Sequence, residues 1–247
     1  MTRYLVVTTC NAEQWQQYGR AMVRTFLRHW PKEVDFRLYP EGFAYNGGDL
    51  YAAAPWLVEF KKKHFKPNFD RHNYRQDAVR WAHKVAAIGA AAEECNHDIM
   101  IWMDADIITF DDVTIDWLDS LFPCGVVAWL DRTHSYPECS FLMFRMPMAK
   151  KLIKAVVEHY HNGSVFHLPE MHDSYVFQHT VNELLSRQEI TVYSLSGEAR
   201  SCTGHPFVNS RLGEKMDHLK GDRRKEAGKS LQSDLVKPRK EDYWKWG

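Results

Sequence analysis

The hydrophobic pattern of the chain begins with a short apolar run and a segment of helical spacing. Residues 4–7 form the apolar run. Asn11 followed by Gln14 three positions later is typical of a helix start, because both side chains can satisfy free backbone groups. Pro31 ends the helix, and residues 34–39 predict a second strand. A strand–helix–strand order of this kind favours a parallel sheet.

The middle of the chain repeats this order after an irregular segment. Glycine and proline residues between positions 40 and 76 predict a loop-rich region with one short helix near 56–63. Asp77 can cap a helix that runs to about residue 95. The run 99–103 is apolar at every position, as expected of a central parallel strand.

The second half of the chain predicts two strands, two helices and a last strand. Their predicted ranges are 125–130, 139–145, 147–163, 173–187 and 190–194. Pro147 suits the first turn of a helix, and Gly163 suits its end. From Ser196 onward the chain is basic and glycine-rich, with weak periodicity. The whole pattern predicts an α/β fold with a mostly parallel central sheet flanked by helices.

Composition excludes several classes of protein. The chain has 247 residues, 45% of them hydrophobic, and its 32 basic and 32 acidic side chains cancel. A single globular domain of this size is expected, without a global charge that attracts nucleic acid or membrane. Five cysteines without a C-x-x-C pair favour reduced thiols, and no run reaches the ~20 apolar residues of a membrane span. We therefore expect a cytoplasmic protein without a membrane partner.

Two carboxylates follow the apolar strand 99–103 directly. Asp104 and Asp106 are two positions apart, so in an extended chain their side chains point the same way. Ligands of open α/β sheets bind beyond the carboxyl ends of the strands, and paired carboxylates suit a hard divalent cation. The alternative is a solvated turn before the next helix, since further acids follow at Asp111, Asp112, Asp116 and Asp119.

The sequence W-M-D-A-D-I at the end of this strand resembles the D-x-D signature of GT-A glycosyltransferases. The resemblance implies a GT-A-like, Rossmann-like fold, a nucleotide-sugar donor with a UDP-sugar favoured, and a manganese or magnesium ion. It implies that Asp104 and Asp106 hold the metal and that Asp104 also binds the donor. It further implies that the turn after the first strand, with Thr8, Thr9 and Asn11, holds the nucleotide.

A second match lies near the C-terminus. The sequence H-L-K-G-D-R-R from His218 to Arg224 is similar to the H-x-x-G-x-x-K pattern of glycogenin-like retaining transferases. It implies that His218 is the third metal ligand, and that Lys220, Gly221 and Arg224 contact the diphosphate. Arg224 stands where that family has lysine, and the stereochemical outcome stays open. The alternative for His218 is a solvated side chain in a basic loop.

Two acidic residues are candidate catalytic groups. The sequence M-H-D-S resembles the acidic start of an equivalent helix in glycogenin-like enzymes, which implies that Asp173 faces the donor sugar. The alternative is a helix N-cap, a position that Asp favours. Glu138, at the start of the strand after the metal loop, is a candidate acid on the acceptor side.

Three basic residues precede the D-x-D strand and are donor-binding candidates. Arg80 and Lys84 are four positions apart and share one helix face, and Arg75 lies just before that helix. In GT-A enzymes a basic residue at this place often contacts the donor. The alternative is a solvated helix face.

Basic residues are interleaved with aromatic residues in two stretches. Residues 61–84 hold eight Lys or Arg against two acids, and residues 219–247 hold nine against five. This pattern suits a phosphate backbone and stacked bases. The chain also resembles short phage-type GT-A enzymes, some of which glycosylate hydroxymethylated pyrimidines in DNA. The leading acceptor is therefore the hydroxymethyl group of a modified pyrimidine in phage DNA, modified in the host cytoplasm; a lipopolysaccharide or another glycan is the alternative.

The resemblance predicts one GT-A-like domain over residues 1–247. Its parts are a nucleotide-binding half, an acceptor half and a closing C-terminal segment, at 1–110, 111–210 and 211–247. A nucleotidyltransferase is a rival, but the turn Thr-Thr-Cys-Asn-Ala after the first strand lacks the expected glycines. A non-catalytic module that stacks nucleic acid or glycan on its aromatic residues is a second rival. The oligomeric state stays open.

Overall fold

A six-stranded sheet forms the centre of the computed structural model, which describes residues 1–46, 48–67, 69–70, 72–201, 205–221 and 226–236. The strands are β1 (Tyr4–Asn11), β2 (Val34–Glu41), β3 (Ile99–Met103), β4 (Ile107–Thr109), β5 (Val127–Arg132), β6 (Ser135–Arg145), β7 (Val192–Ser194) and β8 (Met216–His218). The order in the large sheet is β2-β1-β3-β6-β5-β7, and β4 pairs separately with β8.

Most neighbours in the large sheet run parallel. β1 is parallel to both β2 and β3, and β5 is parallel to β7, whereas β6 is antiparallel to β3 and β5. The predicted α/β fold with a mostly parallel sheet is thus confirmed.

The helices lie on both faces of this sheet. They are α1 (Ala12–Gln14), α2 (Arg20–His29), α3 (Leu50–Ala53), α4 (Trp56–His64), α5 (Ala78–Glu94), α6 (Ile115–Leu121), α7 (Lys150–His161), α8 (Asp173–Ser186) and α9 (Pro206–Asn209). A π-helical segment, Trp15–Gly19, joins α1 to α2. Short 3-10 turns occupy Tyr74–Gln76, Ser164–His167, Gly197–Ser201, Arg211–Glu214 and Gln232–Asp234.

No helix among the described residues combines the length and apolar character needed to cross a membrane.

Two predicted helix starts are confirmed at the level of hydrogen bonds. The backbone N–H of Gln14 donates to Asn11 Oδ1 (2.9 Å), and the backbone N–H of Asn11 donates to Gln14 Oε1 (3.0 Å). Asp77 Oδ1 accepts from the backbone N–H of Arg80 at the start of α5 (3.1 Å). Each side chain satisfies an N–H group that the first helical turn leaves without a partner.

Other predicted boundaries were wrong. β1 continues to Asn11 instead of ending at residue 7, because β2 offers a parallel partner for each residue up to Glu41. α3 lies in the segment where only one short helix was predicted, and α7 begins at Lys150 instead of Pro147. The β1 extension depends on pairing with a distant strand, which local periodicity does not encode.

Successive residues of β3 point to opposite faces and build two cores. Met100 and Trp102 pack in the core beneath α5, α7 and α8, and Ile101 and Met103 pack in the core beneath α2 and α6. α5 and α7 approach closely at Gly89, where an added Cβ would lie 2.7 Å from Val157 Cγ2. The first core therefore holds α5 and α8 against the end of β3, where the acidic residues begin.

Candidate active site

A tight turn between β3 and β4 carries the two D-x-D carboxylates. The backbone N–H of Asp104 donates to the Ser140 carbonyl on β6 (2.8 Å), and the N–H of Ile107 donates back to the Asp104 carbonyl (3.1 Å). These bonds fix Asp104 and Asp106 at the carboxyl end of β3, the edge at which open α/β sheets bind ligands. The alternative of a solvated turn is wrong for Asp104, which makes buried contacts described below.

The pairing of β4 with β8 brings His218 to the same place. Ile107 pairs with His218 in the antiparallel register, and the N–H of Leu219 donates to the Asp106 carbonyl (2.9 Å). His218 Nε2 lies 3.2 Å from Asp106 Oδ1, and the His218 side chain is only 2% exposed. The alternative of a solvated His218 is therefore wrong. One ligand atom each from Asp104, Asp106 and His218 lie within 4.8 Å of one another.

This group has the chemistry of a divalent metal site. Two carboxylates and one imidazole are ligands that Mn²⁺ accepts, and the carboxylates alone suit Mg²⁺. Burial raises the pKa of Asp104, Lys84 lowers it and Asp106 raises it again, so the net direction is upward. His218 Nδ1 is buried and has no hydrogen-bond partner among the described residues. Two crowded carboxylates beside an imidazole fit a site completed by a cation.

Lys84 lies at the centre of a buried ion network next to this group. Its Nζ lies 3.1 Å from Asp104 Oδ1 and 2.7 Å from Asp173 Oδ2, and it also donates to the Cys139 carbonyl. Burial lowers the pKa of Lys84, but Asp104 and Asp173 raise it more, so this pKa lies above its usual range. The alternative of a solvated helix face is wrong for Lys84. Arg80 is exposed instead, with its guanidinium 5.0 Å from the Trp81 ring centroid.

Asp173 reaches the network from the start of α8. It is the first residue of the helix and 4% exposed, while His172 holds the N-cap position. The alternative that Asp173 is the N-cap is therefore wrong. A carboxylate in the first turn is favoured by the helix dipole, and here it faces Lys84 at the same time.

Glu138 and Lys220 form a second ion pair beside His218. Lys220 Nζ lies 2.7 Å from Glu138 Oε2, and the Glu138 side chain is buried. Burial raises the pKa of Glu138, but Lys220 and His218 lower it more, so this pKa lies below its usual range. Glu138 is thus a carboxylate that anchors Lys220. Gly221 follows with φ +83°, a left-handed conformation that favours glycine and turns the chain.

The remaining donor-binding candidates lie outside the Asp104, Asp106 and His218 group, and several of them are bonded to other protein groups. Thr8 is buried inside β1, and Thr9 Oγ1 donates to the Tyr39 carbonyl (2.6 Å), so the predicted turn at these residues is wrong. Asn11 is engaged in the capping box. Arg75 Nη1 lies 3.1 Å from Glu170 Oε1. Arg224 lies outside the described residues.

One contact at the site was missed from the sequence. Trp102 Nε1 donates to Asp104 Oδ1 (2.6 Å), and Lys84 Nζ lies 5.3 Å from the Trp102 ring centroid. Trp102 is the aromatic residue in a strand of isoleucine and methionine side chains. Its presence there could have indicated the contact, because a buried indole N–H needs a hydrogen-bond acceptor.

Comparisons with known proteins show which solved structures have a similar fold. No protein-family model matches the chain, and no curated protein sequence matches it significantly. Among solved structures it is similar to an active-site mutant of LgtC, with 12% identity over 88% of this chain and 88% of that chain and a TM-score of 0.51. It is also similar to a glycosyltransferase involved in the glycosylation of the major capsid of PBCV-1, with 11% identity over 91% of this chain and 97% of that chain and a TM-score of 0.50.

The chain has the fold of the GT-A glycosyltransferases. It carries a D-x-D group, Asp104 and Asp106, at the end of β3 in that fold. The likeness to these solved structures shows the fold alone.

Proposed function

We propose that this protein is a metal-dependent glycosyltransferase that moves a sugar from a nucleoside diphosphate sugar, with UDP favoured, to a hydroxyl group. The observation that carries the proposal is the convergence of Asp104, Asp106 and His218 within 4.8 Å at the carboxyl end of β3. Such an edge site is where a GT-A fold would receive a diphosphate.

Asp104, Asp106 and His218 would hold a Mn²⁺ or Mg²⁺ ion. When bound, this ion supplies positive charge that stabilises the departing diphosphate. Lys220 lies beside the same centre, and its ion pair with Glu138 fixes its stem while half of the side chain stays exposed. A positioned ammonium group of this kind adds to the stabilisation of developing negative charge.

Asp173 is the proposed group on the donor-sugar side. Lys84 Nζ lies 2.7 Å from Asp173 Oδ2 and 3.1 Å from Asp104 Oδ1. The Lys84 ammonium group would therefore set the spacing between the metal site and the donor-sugar side. Asp173 would then accept hydrogen bonds from sugar hydroxyls or act near the anomeric carbon. Thr8, Thr9, Asn11, Arg75, Arg80 and Arg224 stay predictions as donor contacts.

Calorimetry with UDP tests the donor half of this proposal. UDP should bind in the presence of MnCl₂ and lose most of its affinity in excess chelator, because a metal held by Asp104, Asp106 and His218 would supply the positive charge that attracts the diphosphate. A screen of nucleotide sugars, read as release of nucleoside diphosphate, then identifies the donor. The Asp116→Asn variant, which alters an exposed carboxylate on α6, should behave as the unmodified protein.

Three results would contradict the donor proposal in different ways. Equal UDP affinity with and without metal would contradict the proposal that UDP binding requires a metal. Release of pyrophosphate from nucleoside triphosphates would favour a nucleotidyltransferase. Absence of nucleotide binding throughout the panel would favour a non-catalytic binding module.

For the acceptor, we propose a hydroxymethylated pyrimidine in DNA, with a lipopolysaccharide or other glycan as the second candidate. Lys62, Lys63 and Lys66 are exposed on and beside α4, next to Phe65, which is 59% exposed. This arrangement supports a phosphate-binding surface with a stacking residue. Lys84, which is part of the basic stretch 61–84, does not contribute to this surface, because its side chain is buried in the ion network. The second basic stretch is described only at 219–221 and 226–236.

A product assay distinguishes the acceptors. The enzyme is incubated with donor and DNA containing 5-hydroxymethylcytosine, plain DNA or lipopolysaccharide, and nucleosides and glycans are read by mass spectrometry. We expect a hexose adduct only on the modified base, and binding that falls steeply with salt. The double variant Lys62→Ala/Lys63→Ala should weaken DNA binding and leave donor hydrolysis unchanged. An adduct on glycan alone, with donor hydrolysis intact, would contradict the DNA acceptor.

A further inference from the structure

A second group of metal-ligating side chains lies on the outer side of α7 and α8. His159 belongs to α7, and His179 and Glu183 belong to α8. One ligand atom of each lies within 4.8 Å of the others. The group is separate from the D-x-D centre, because His179 follows Asp173 by six residues, about 9 Å along the helix axis.

The spacing within this group suits a tetrahedral metal. His179 and Glu183 are four positions apart, so they share one face of α8, and His179 Nε2 lies 3.6 Å from Glu183 Oε1. Zinc bonds of 2.0–2.2 Å place neighbouring ligand atoms about 3.4 Å apart in a tetrahedron. Glu183 is half exposed, so its carboxylate can adjust to a metal at little cost.

Both imidazoles are already oriented by neighbours. His159 Nδ1 lies 3.0 Å from Ser164 Oγ, which leaves Nε2 of that ring for a metal. The Tyr175 ring stacks on His179, with centroids 5.9 Å apart and planes inclined by 9°. A ligating histidine that donates its second N–H to an oxygen acceptor is the usual outer-shell arrangement of metal sites.

We infer that His159, His179 and Glu183 form a site for a zinc-class divalent transition metal that clamps α7 to α8. Two imidazoles and one carboxylate suit Zn²⁺ better than Mg²⁺ or Ca²⁺, which prefer oxygen ligands alone. Water would fill the fourth position. α8 carries Asp173 at its start, so the clamp would stabilise the helix that supplies this carboxylate. The site does not depend on the proposed transferase function.

Zinc titration of the chelator-stripped full chain, in competition with a chromophoric indicator, tests the site. The His179→Gln and Glu183→Gln variants should each bind one Zn²⁺ equivalent fewer than the control His167→Gln, which removes an exposed imidazole outside the group. Ser164→Ala should keep the stoichiometry but weaken this equivalent by roughly 10–100-fold, the usual effect of losing an outer-shell partner. Zn²⁺ should raise the melting temperature of the control by more than that of His179→Gln.

The D-x-D centre is itself a proposed metal site, so an Asp106→Asn background separates the two sites. One Zn²⁺ equivalent should remain in Asp106→Asn and disappear in Asp106→Asn/His179→Gln. Equal stoichiometry in His179→Gln and His167→Gln would overturn the inference. Complete loss of zinc binding in Asp106→Asn alone would overturn it as well, because the D-x-D centre would then account for all of the bound zinc. His179 and Glu183 are partly exposed, so their substitution should leave the fold intact.

Discussion

Asp104→Asn and Asp106→Asn should each lower the rate of sugar transfer by about a thousandfold or more. A metal contributes several kcal/mol of charge stabilisation to the transition state, and each 1.36 kcal/mol is a factor of ten in rate. The amide keeps the size of the side chain but loses the charge that holds the cation. Initial rates at saturating MnCl₂ and donor measure the effect, and circular dichroism shows whether the variants fold.

Both variants should fold, because the amide keeps the size of each side chain. In Asp104→Asn, Lys84 keeps Asp173 as its partner at 2.7 Å. Asp116→Asn is the matched control, since it removes an exposed carboxylate on α6. Undiminished transfer in either D-x-D variant, or in excess chelator, would contradict the metal-site proposal.

The sequence predicts the central sheet and the D-x-D well because their signals are local. The fully apolar run at 99–103 forms β3, and the two carboxylates beyond it lie at the sheet edge as expected. The capping residues Asn11 and Asp77 were equally readable, since each cap involves residues only three positions away.

The sequence does not predict the elements that complete the site. β4 and β8 have three residues each, too few to show a period of two, and they pair across more than a hundred positions. The motif at His218 therefore indicated a ligand only through its resemblance to known enzymes. The burial of Lys84, which the sequence offered only as a donor-binding candidate, was equally hidden, because a lysine on a helix is almost always solvated unless it is paired. Its partners Asp104 and Asp173 come from distant elements.

Lys84→Met should lower the free energy of unfolding by about 3–5 kcal/mol. Removing one partner from a buried ion pair leaves the other charge without compensation, and here Asp104 and Asp173 both lose their cation. A loss of this size is a large fraction of the total stability of a domain, which is about 5–15 kcal/mol. Urea unfolding measures the difference. Lys62→Met is the control, because an exposed lysine on α4 should change stability by less than about 0.5 kcal/mol.

The double variant Lys84→Met/Asp173→Asn separates charge from packing as the cause of the loss. If uncompensated charge is the cause, neutralising Asp173 in the Lys84→Met background should restore stability, with a coupling energy of about 0.5–3 kcal/mol. Asp173→Asn alone should instead destabilise the protein, because Lys84 then loses its nearer partner. Additive losses in the double variant would mean that the lysine stem acts through packing. In that case Lys84 would not set the spacing between the metal site and Asp173, and the mechanism proposed for the donor-sugar side would lose its support.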